Sequence, residues 1–374
     1  MGCDVLLRAK LTHSELNSFL IEYEARKIGL HTFRLNRYYV RCSDSKGRTV
    51  LFRRACGPGV SRAAYQICMN KYQTKRLWDE DGIPHNAYRL LSSAEYGSAV
   101  EFAEKNDWQI VIKPINGAGG KNVFTGIKNE QDLSKFWRVL EKKKNSKVRN
   151  ILVERRFIGD DFRFFVVAGR VQGVLERVRP NIVGDGRRTV GELINAKRQT
   201  RLLNPDLAAR PIKEDSVVEH QLKAHKVDRE SVLPEGLKIV LRGNANISTG
   251  GEHRDRTDEI PESIKALVER AVASLPNATT SAVDVLAKDI TDGVNLNEES
   301  IVLNEIEADA AMCMHHFPMH GTPRNLARRI LLESYPELDD GSVGSPYSHD
   351  FDENEKLSKE LISCIKSFEP GFIK

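Results

Sequence analysis

The stretch VIKPINGAGGKNV (residues 111–123) joins an apolar strand pattern to a loop that is rich in glycine. The strand is predicted to end at Lys113. Gly117, Gly119 and Gly120 follow in the loop, and their missing Cβ atoms let backbone N–H groups approach phosphate oxygens closely. Lys113 would add a positive point charge to the same phosphates. A phosphate site and a simple hairpin turn are both compatible with this segment on its own.

The glycine loop does not match the common nucleotide motifs. A Walker A loop requires Gly-Lys followed by Ser or Thr after a four-residue gap, and that triplet is absent here. A G-x-G-x-x-G fingerprint opens a helix, whereas this loop is predicted to lie between two strands, QIVIKP and VFTGI. A flap over a bound nucleotide would have this position.

The composition is that of an ordinary globular protein. The chain has 374 residues, of which 40% are hydrophobic and 29% are charged, and this length predicts two or three packed subdomains. No apolar run approaches the about 18 residues of a membrane-spanning helix, and the N-terminal stretch lacks the apolar region of a secretory signal. Leu6 stands where a myristoylation motif requires Ser or Thr. We therefore expect no membrane partner.

Cysteine usage and charge narrow the classes of partner. The six cysteines are scattered, with no C-x-x-C pair, which predicts thiols in a reducing, cytoplasmic compartment. Cys313, His315 and His316 resemble a metal cluster, but adjacent histidines on a strand or tight turn point apart, so no shared zinc is expected. The net charge of +5 suits anionic small molecules. The arginine-rich segment RRACGPGVSR has no interleaved aromatic residues, so no nucleic-acid partner is expected.

The pattern along the chain predicts four segments. They are an N-terminal α/β region at 1–65, a helix and lid subdomain at 66–158, a C-terminal subdomain at 159–340, and a linker with a charged tail helix at 341–374. Within them, a single helix is predicted over 61–82 with Ser61 as its cap. Residues 196–236 are predicted to be a polar and irregular excursion. Lys71 and Lys75 share one face of the predicted helix, and two solvated lysines are the simplest interpretation of that spacing.

One pair of acidic positions suggests ligand contacts. Glu154 ends the apolar strand in ILVERRFIGDDF, and Asp161 follows seven residues later. Such carboxylates can accept hydrogen bonds from an adenine amino group or a ribose hydroxyl, although ordinary surface charge is the simpler explanation of these two acids taken alone.

A second set of acids suggests a metal site. Asp284 lies in the apolar strand AVDVL, and Glu305, Glu307 and Asp309 alternate in IVLNEIEAD, which predicts that all three point to one face of a strand. Like charges on one face are costly unless the face is solvated or binds a cation. Because hard oxygen donors suit Mg²⁺, the pattern predicts a magnesium site.

The chain resembles the ATP-grasp superfamily in a series of segments that follow one another in the expected order. They are NKYQTKRLWDEDGIP, VIKP, the glycine loop, VERRFIGDDFRFFV, VDVL and the acidic strand. Three further segments are similar to the ATP-grasp modules of cyanophycin synthetase and of bifunctional glutathione synthetases: RPNIVGDGRRTVGELI, VLRGNANISTGGEHRDRTDEI and MHHFPMHGTPRNLARRIL. The resemblance covers residues 65 to 335. It implies an α+β ATP-grasp fold, in which two α/β subdomains grip ATP, after a short N-terminal α/β region.

The resemblance also implies roles for individual residues. Those expected to contact ATP are Lys71 and Lys113 at the phosphates, Gly117, Gly119 and Gly120 in the lid, Glu154 on the adenine side and Asp161 on the ribose side. Those expected to hold Mg²⁺, or Mn²⁺ in its place, are Asp284, Glu305 and Glu307. Those expected to face the acyl phosphate and the substrates are the catalytic candidates Arg163, Arg179 and Arg242, with Asn246, Ser248 and Thr249.

The activity that the resemblance implies is ATP-dependent ligation of a carboxylate to an amine. An acyl phosphate would form first, and an amino-acid-like or peptide amine would then displace phosphate to give an amide, with ADP as the other product. Relatives commonly self-associate, which implies a homo-oligomer. The same fold could instead transfer the γ-phosphoryl group to a hydroxyl and stop there, as a small-molecule kinase does. The identities of the carboxylate donor and the amine acceptor stay open.

The chain departs from the family pattern in three respects. Glu307 stands where the last metal ligand is usually Asn, and Ala310-Ala311 replaces the Pro-Gly that often follows. An additional carboxylate should still bind Mg²⁺ but adds repulsion toward phosphate, so a catalytically impaired nucleotide-binding module is a further alternative. Residues 1–60 are also too short to replace the enzyme half that supplies the first substrate in the bifunctional glutathione synthetases.

Overall fold

The computed structural model describes residues 13–115, 122–141 and 150–341. Within these residues the α-helices are α1 (His13–Lys27), α2 (Arg62–Cys68), α3 (Lys71–Glu80), α4 (Tyr96–Lys105), α5 (Glu130–Glu141), α6 (Val190–Leu202), α7 (Ser216–Ala224), α8 (Glu262–Ala273), α9 (Cys313–His316) and α10 (Leu326–Ser334). The predicted lid residues Gly117, Gly119 and Gly120 and the predicted tail helix lie outside the described residues.

The β-strands are mostly short and antiparallel. They are β1 (His31–Arg34), β2 (Tyr39–Ser43), β3 (Thr49–Arg53), β4 (Tyr88–Ser92), β5 (Ile110–Pro114), β6 (Asn150–Arg155), β7 (Asp160–Val167), β8 (Arg170–Val178), β9 (Asn181–Val183), β10 (Lys238–Val240), β11 (Glu252–Asp255), β12 (Ser281–Ala287) and β13 (Ile301–Glu307). Separate sheets and helices in one chain confirm the predicted α+β class. No helix in the described residues has the length and apolar character needed to cross a membrane.

The chain folds into two compact units. The first is formed by the described parts of Met1–Gly59, Arg163–Asp258 and Asp309–Lys374, and the second by those of Val60–Phe162 and Glu259–Ala308. The segment predicted as one subdomain, 159–340, contributes residues to both units. The division into four segments remains a prediction about subdomains.

The second unit contains a three-stranded antiparallel sheet in the order β4-β6-β5. Its buried face packs against α4 and α5, where Phe102, Ile112 and Trp137 belong to one apolar cluster. The hairpin of β12 and β13 and the helices α3 and α8 complete the unit. Trp78 of α3 donates its indole N–H to the carbonyl oxygen of Ala271 in α8 at 3.2 Å, which ties these helices together.

The single helix predicted over 61–82 is wrong, because the segment forms the two helices α2 and α3. The side chain of Ser61 accepts the N–H of Ala64 and begins α2, as predicted. Asn70 then begins a new helix, since its side chain accepts the N–H of Gln73. Lys71 is therefore the first residue of α3, and its N–H donates to the carbonyl oxygen of Ile115, directly after β5, at 3.2 Å.

The strand predicted at VFTGI is also wrong. In this segment Phe124 makes an isolated bridge to Ile112, with backbone hydrogen bonds of 2.9 and 3.1 Å. The remaining residues of the segment are not in a strand. Apolar β-branched residues favour an extended chain, but the pairing ends after one residue.

The first unit contains α1, the sheet β1-β2-β3, the strands β8 and β11 with part of β7, and a small subdomain over 181–241. The hairpin predicted at Ala168-Gly169 is confirmed, with positive φ angles of 51° and 75° at its two turn residues. The predicted irregular excursion over 196–236 is wrong, because it contains the end of α6 and all of α7. Their apolar residues, Val190, Ile194, Val218 and Leu222 among them, form a core of their own.

Candidate functional site

Three carboxylates of the second unit converge on the β12–β13 hairpin. Asp284 lies opposite Glu305 in the antiparallel register, and Glu307 lies two residues further along the same face. One oxygen atom from each of these side chains lies within 4.8 Å of the others. Asp284 is buried, and the two glutamates are partly exposed. The structure thus brings together the three predicted metal ligands.

The donor set fits a hard divalent cation. Three carboxylates at this distance repel one another, and a cation with oxygen preference would offset that repulsion. Mg²⁺ usually takes one or two protein carboxylates together with waters and phosphate oxygens, so two partly exposed glutamates leave room for such ligands. Among the described residues, this is the set of metal-type side chains whose ligand atoms converge.

Asp309 does not belong to this face, and the prediction that it does is wrong. The strand β13 ends at Glu307, and Asp309 lies in the turn that follows, in the first unit. There its carboxylate pairs with Arg53 and with Arg54, the latter at 3.0 Å. Alternation predicts a shared face only while the strand continues.

Cys313, His315 and His316 also differ from expectation, because they lie in the short helix α9 rather than in a strand or turn. The thiol of Cys313 donates to the buried carboxylate of Asp206 at 3.0 Å, and burial raises the pKa of that thiol. Nε2 of His316 accepts the N–H of Ala327 at 3.1 Å. These contacts belong to the packing of the first unit.

Lys71 lies beside the acidic cluster. Its Nζ is 2.6 Å from Oε2 of Glu305, across the space between the start of α3 and strand β13. Burial by itself would lower the pKa of Lys71, but the charge of Glu305 and a hydrogen bond to it outweigh this effect and raise the pKa. The lysine is therefore a firmly charged ammonium next to the carboxylates.

Lys113 lies at the end of β5 and reaches two partners. Its Nζ is 2.7 Å from Oε2 of Glu154 and donates to Oδ1 of Asn304 at 3.4 Å. Val111 pairs with Glu154 in the β5–β6 register, and Lys113 follows two residues later on the same face. Asn304 precedes Glu305 in β13, so Lys113 and Lys71 contact neighbouring residues of one strand. The sequence contained no signal for Asn304.

Lys75 is a second residue that the sequence interpretation placed wrongly. It was expected to be solvated, yet its side chain is fully buried, and its Nζ lies 3.4 Å from Oε1 of Glu154. Its spacing of four residues from Lys71 was the available signal, since such residues share a helix face. Burial alone would raise the pKa of Glu154, but the ammonium groups of Lys113 and Lys75 hold that pKa below its ordinary value.

Asp161, the remaining described residue that is predicted to contact the nucleotide, lies in β7 and is partly exposed. It belongs to the second unit, as do Lys71, Lys113 and Glu154. The adenine and ribose roles of these acids remain predictions.

The candidate substrate residues lie in the first unit. Arg163 is buried in β7, and Arg179 is exposed directly after β8. Arg242 is buried, and its guanidinium donates two hydrogen bonds to the carboxylate of Asp215, at 2.7 and 3.1 Å. Asp215 also caps α7 by accepting the N–H groups of Val217 and Val218, so the helix start and the arginine are connected.

Asn246, Ser248 and Thr249 lie in a tight turn that ends at Gly250 and Gly251. The backbone carbonyl oxygen of Asn246 accepts the N–H groups of Thr249 and Gly251, and Ser248 is exposed. A Cβ atom at Gly251 would lie 2.4 Å from the carbonyl oxygen of Ala245, so the turn requires glycine there.

Arg201, like Asn304, is a residue of the candidate site that no sequence pattern indicated. It is buried under the turn and donates to the carbonyl oxygens of Gly250 and Gly251, at 3.2 and 2.8 Å. Burial lowers the pKa of its guanidinium to about 10. The turn that carries the candidate substrate residues is thus held from below by a buried charge.

Comparison with known proteins places these features in a family context. Residues 88–210 match the family described as prokaryotic glutathione synthetase, ATP-grasp domain. The chain is 31% identical to cyanophycin synthetase from Trichormus variabilis over 284 residues, which cover 74% of this chain and 30% of the relative. It is 29% identical to the glutathione biosynthesis bifunctional protein from Pasteurella multocida over 283 residues, which cover 73% of this chain and 36% of the relative.

A solved structure extends this similarity to the fold. The crystal structure of a bifunctional glutathione synthetase from Pasteurella multocida superposes with a TM-score of 0.69 and 25% sequence identity, over 88% of this chain and 44% of the other. The chain therefore spans about a third of the length of the curated relatives that it matches.

Proposed function

The chain contains an ATP-grasp domain related to those of prokaryotic glutathione synthetase, cyanophycin synthetase and the bifunctional glutathione proteins, and we propose that it is an ATP-dependent ligase that joins a carboxylate to an amine. The predicted ATP-grasp fold is thereby confirmed. The observation that carries the proposal is the convergence, within one unit, of three carboxylates with Lys71 and of Glu154 with Lys113. Cationic and metal-binding groups side by side are what a nucleoside triphosphate requires.

The residues of the second unit would bind ATP. Lys71 and Lys113 would contact its phosphates, together with Gly117, Gly119 and Gly120 of the predicted glycine loop. Glu154 and Asp161 would lie on the adenine and ribose sides. Mg²⁺ or Mn²⁺, held by Asp284, Glu305 and Glu307, would neutralise phosphate charge when bound. The charges of these side chains and the partial exposure of Lys71, Asp161, Glu305 and Glu307 support the assignment.

The proposed reaction has two displacements. A substrate carboxylate oxygen attacks the γ-phosphorus, the bond between that phosphorus and the β,γ-bridging oxygen breaks, and ADP leaves with the electron pair. The amine nitrogen then attacks the acyl carbon of the acyl phosphate, the bond to the phosphate oxygen breaks, and inorganic phosphate leaves. The amine loses its proton in this step, and an amide or peptide bond remains.

The lysines contribute by reducing repulsion rather than by covalent chemistry. A carboxylate and a triphosphate are both anionic, so their approach is costly unless fixed positive charges surround them. Lys71 and Lys113 are held in place by Glu305 and Glu154, so these charges are oriented before the substrate arrives.

The residues of the first unit would bind the substrates. Arg163, Arg179 and Arg242 are suited to carboxylate or acyl phosphate, because a guanidinium binds such oxygens through two parallel hydrogen bonds. Arg242 already makes that type of contact with Asp215. Asn246, Ser248 and Thr249 would add polar contacts. The relatives named above support amino-acid-like or peptide substrates, and we propose that class for this chain.

The test is the release of ADP and phosphate over a matrix of amino acids and small peptides, each paired as carboxylate donor and as amine. Amine-dependent ADP release that Lys113→Ala and Glu305→Ala abolish would support the ligase. Accumulation of a phosphorylated substrate without any amine would favour a kinase instead. A protein that binds ATP with Mg²⁺ but turns over no pair would correspond to the impaired module suggested by Glu307.

A further inference from the structure

Lys75, Lys113 and Glu154 form a buried charge cluster in the second unit, and the proposed function does not use Lys75. Lys75 is fully buried, and its ammonium faces Oε1 of Glu154 at 3.4 Å, while Lys113 contacts Oε2 at 2.7 Å. Among the described residues, Lys75 Nζ and Glu154 Oε1 have no hydrogen bond of normal geometry. We propose that Lys75 is a positioning residue of the nucleotide site: it balances Glu154, so that Lys113 keeps its charge available for phosphate. This inference rests on the proposed function.

The charge balance of the cluster is the first argument. Glu154 and Lys113 alone would form a neutral pair, and a neutral pair attracts a triphosphate only weakly. With Lys75 on the second oxygen, two ammonium groups share one carboxylate, and the cluster keeps one net positive charge. Lys75 is sealed from solvent, whereas the side chain of Lys113 is 5% exposed at the end of β5. The surplus charge is therefore presented through Lys113.

The cost of burying Lys75 is the second argument. Burial lowers the pKa of its ammonium, and the charge of Glu154 offsets only part of that effect, so keeping Lys75 charged in the folded protein costs free energy. An apolar pair of similar shape often replaces a buried ion pair without loss of stability. The fold therefore gains little from this charge, whereas an anion-binding site gains an unscreened positive charge.

The surroundings of Lys75 keep it in this position. The ring of Tyr88 lies with its centroid 5.9 Å from Lys75 Nζ, and Tyr88 is directly opposite Glu154 in the β4–β6 register. The hydroxyl of Tyr88 donates to Asp79 at 2.5 Å, which holds the ring over the lysine. The ammonium consequently faces the carboxylate and not solvent.

The experiment measures the Kd for ATP with Mg²⁺ by calorimetry, together with the melting temperature, for the wild type and three variants. The variants are Lys75→Met, the double variant Lys75→Met/Glu154→Gln, and the control Arg76→Met, which removes an exposed cation from the same helix. We expect Lys75→Met to raise Kd about tenfold, because Glu154 then neutralises Lys113 alone. The double variant should have a Kd between those of the wild type and Lys75→Met. Its Lys113 is no longer neutralised by Glu154, but it has also lost the carboxylate that holds its ammonium in place. Arg76→Met should bind as the wild type does.

Several outcomes would overturn the inference. Folded Lys75→Met with an unchanged Kd would show that the lysine is only structural. A double variant that binds no better than Lys75→Met would show that Glu154 does not transmit the effect. If Lys75→Met does not fold, the double variant provides the test. The inference requires its Kd for ATP to exceed that of the wild type, and an equal Kd would overturn it. Wild-type protein that binds no ATP would contradict the proposed function and this inference together, which distinguishes that failure from the others.

Discussion

Lys71 and Glu305 form an ion pair that joins the start of α3 to the acidic face of β13, with 2.6 Å between Nζ and Oε2. The pair places the proposed phosphate-binding charge next to a proposed metal-binding carboxylate. A triphosphate that carries a divalent cation would meet both partners at once.

We predict that Glu305→Gln weakens Mn²⁺ binding in the presence of ATP by about 100-fold, because loss of a direct ligand should cost at least as much as loss of a residue that only orients a ligand, which typically costs about 10–100-fold. The amide keeps the shape but loses the negative charge of the oxygen donor. Titration followed by the electron paramagnetic resonance of free Mn²⁺ measures the effect. Glu298→Gln, an exposed acid before the same strand, is the matched control. Equal affinity in the two variants would contradict the metal assignment.

The stability of the protein should depend on pH through Glu154. Its pKa is held below the ordinary value of 4.5 by two lysines, so its ion pairs stabilise the fold above that pH and are lost as pH falls through the folded-state pKa. Glu154→Gln should therefore be less stable than the wild type at pH 7, and the difference should shrink below about pH 4.5. Urea unfolding from pH 3 to pH 7 measures it. A constant difference would show that Glu154 is not charged in the folded state.

The break between α2 and α3 provides a test of how Lys71 is placed. Asn70→Ala removes the cap of α3 and should lower the free energy of unfolding by about 1 kcal/mol. It should also raise the KM for ATP, because Lys71 is the first residue of that helix. Ser61→Ala removes the corresponding cap of α2 and should cost similar stability without changing KM. Equal KM values for ATP in Asn70→Ala and Ser61→Ala would show that the start of α3 does not affect nucleotide binding.

The turn that ends at Gly251 should be sensitive to a single methyl group. Gly251→Ala would place a Cβ atom 2.4 Å from the carbonyl oxygen of Ala245, and such overpacking typically costs about 1–3 kcal/mol. We expect KM for the carboxylate or amine substrate to rise about tenfold, with ATP affinity unchanged. Gly243→Ala, where a Cβ atom would have no neighbour within 4 Å, is the control. A loss of ATP affinity in Gly251→Ala would contradict the assignment of this turn to the substrates.

Local patterns predicted the elements that carry the site. The alternation of Glu305 and Glu307 and the apolar strand around Asp284 led to the acidic hairpin, and the lysine at the end of VIKP led to the end of β5. Asp309 was misplaced because alternation does not reveal where a strand ends. The start of α3 was missed because Asn70 lies inside a continuous helical pattern, and its capping contact is a matter of side-chain geometry.

By itself, the sequence determined the α+β class, the order of the family segments and the identities of the charged residues, because periodicity and spacing are properties of the local chain. Only the tertiary structure decided that Lys75 is buried, that Glu154 lies between two lysines and that Arg201 supports the glycine turn. Burial and ion pairing depend on groups far apart in the chain. A lysine on a helix has the same local pattern whether its ammonium faces water or a buried carboxylate.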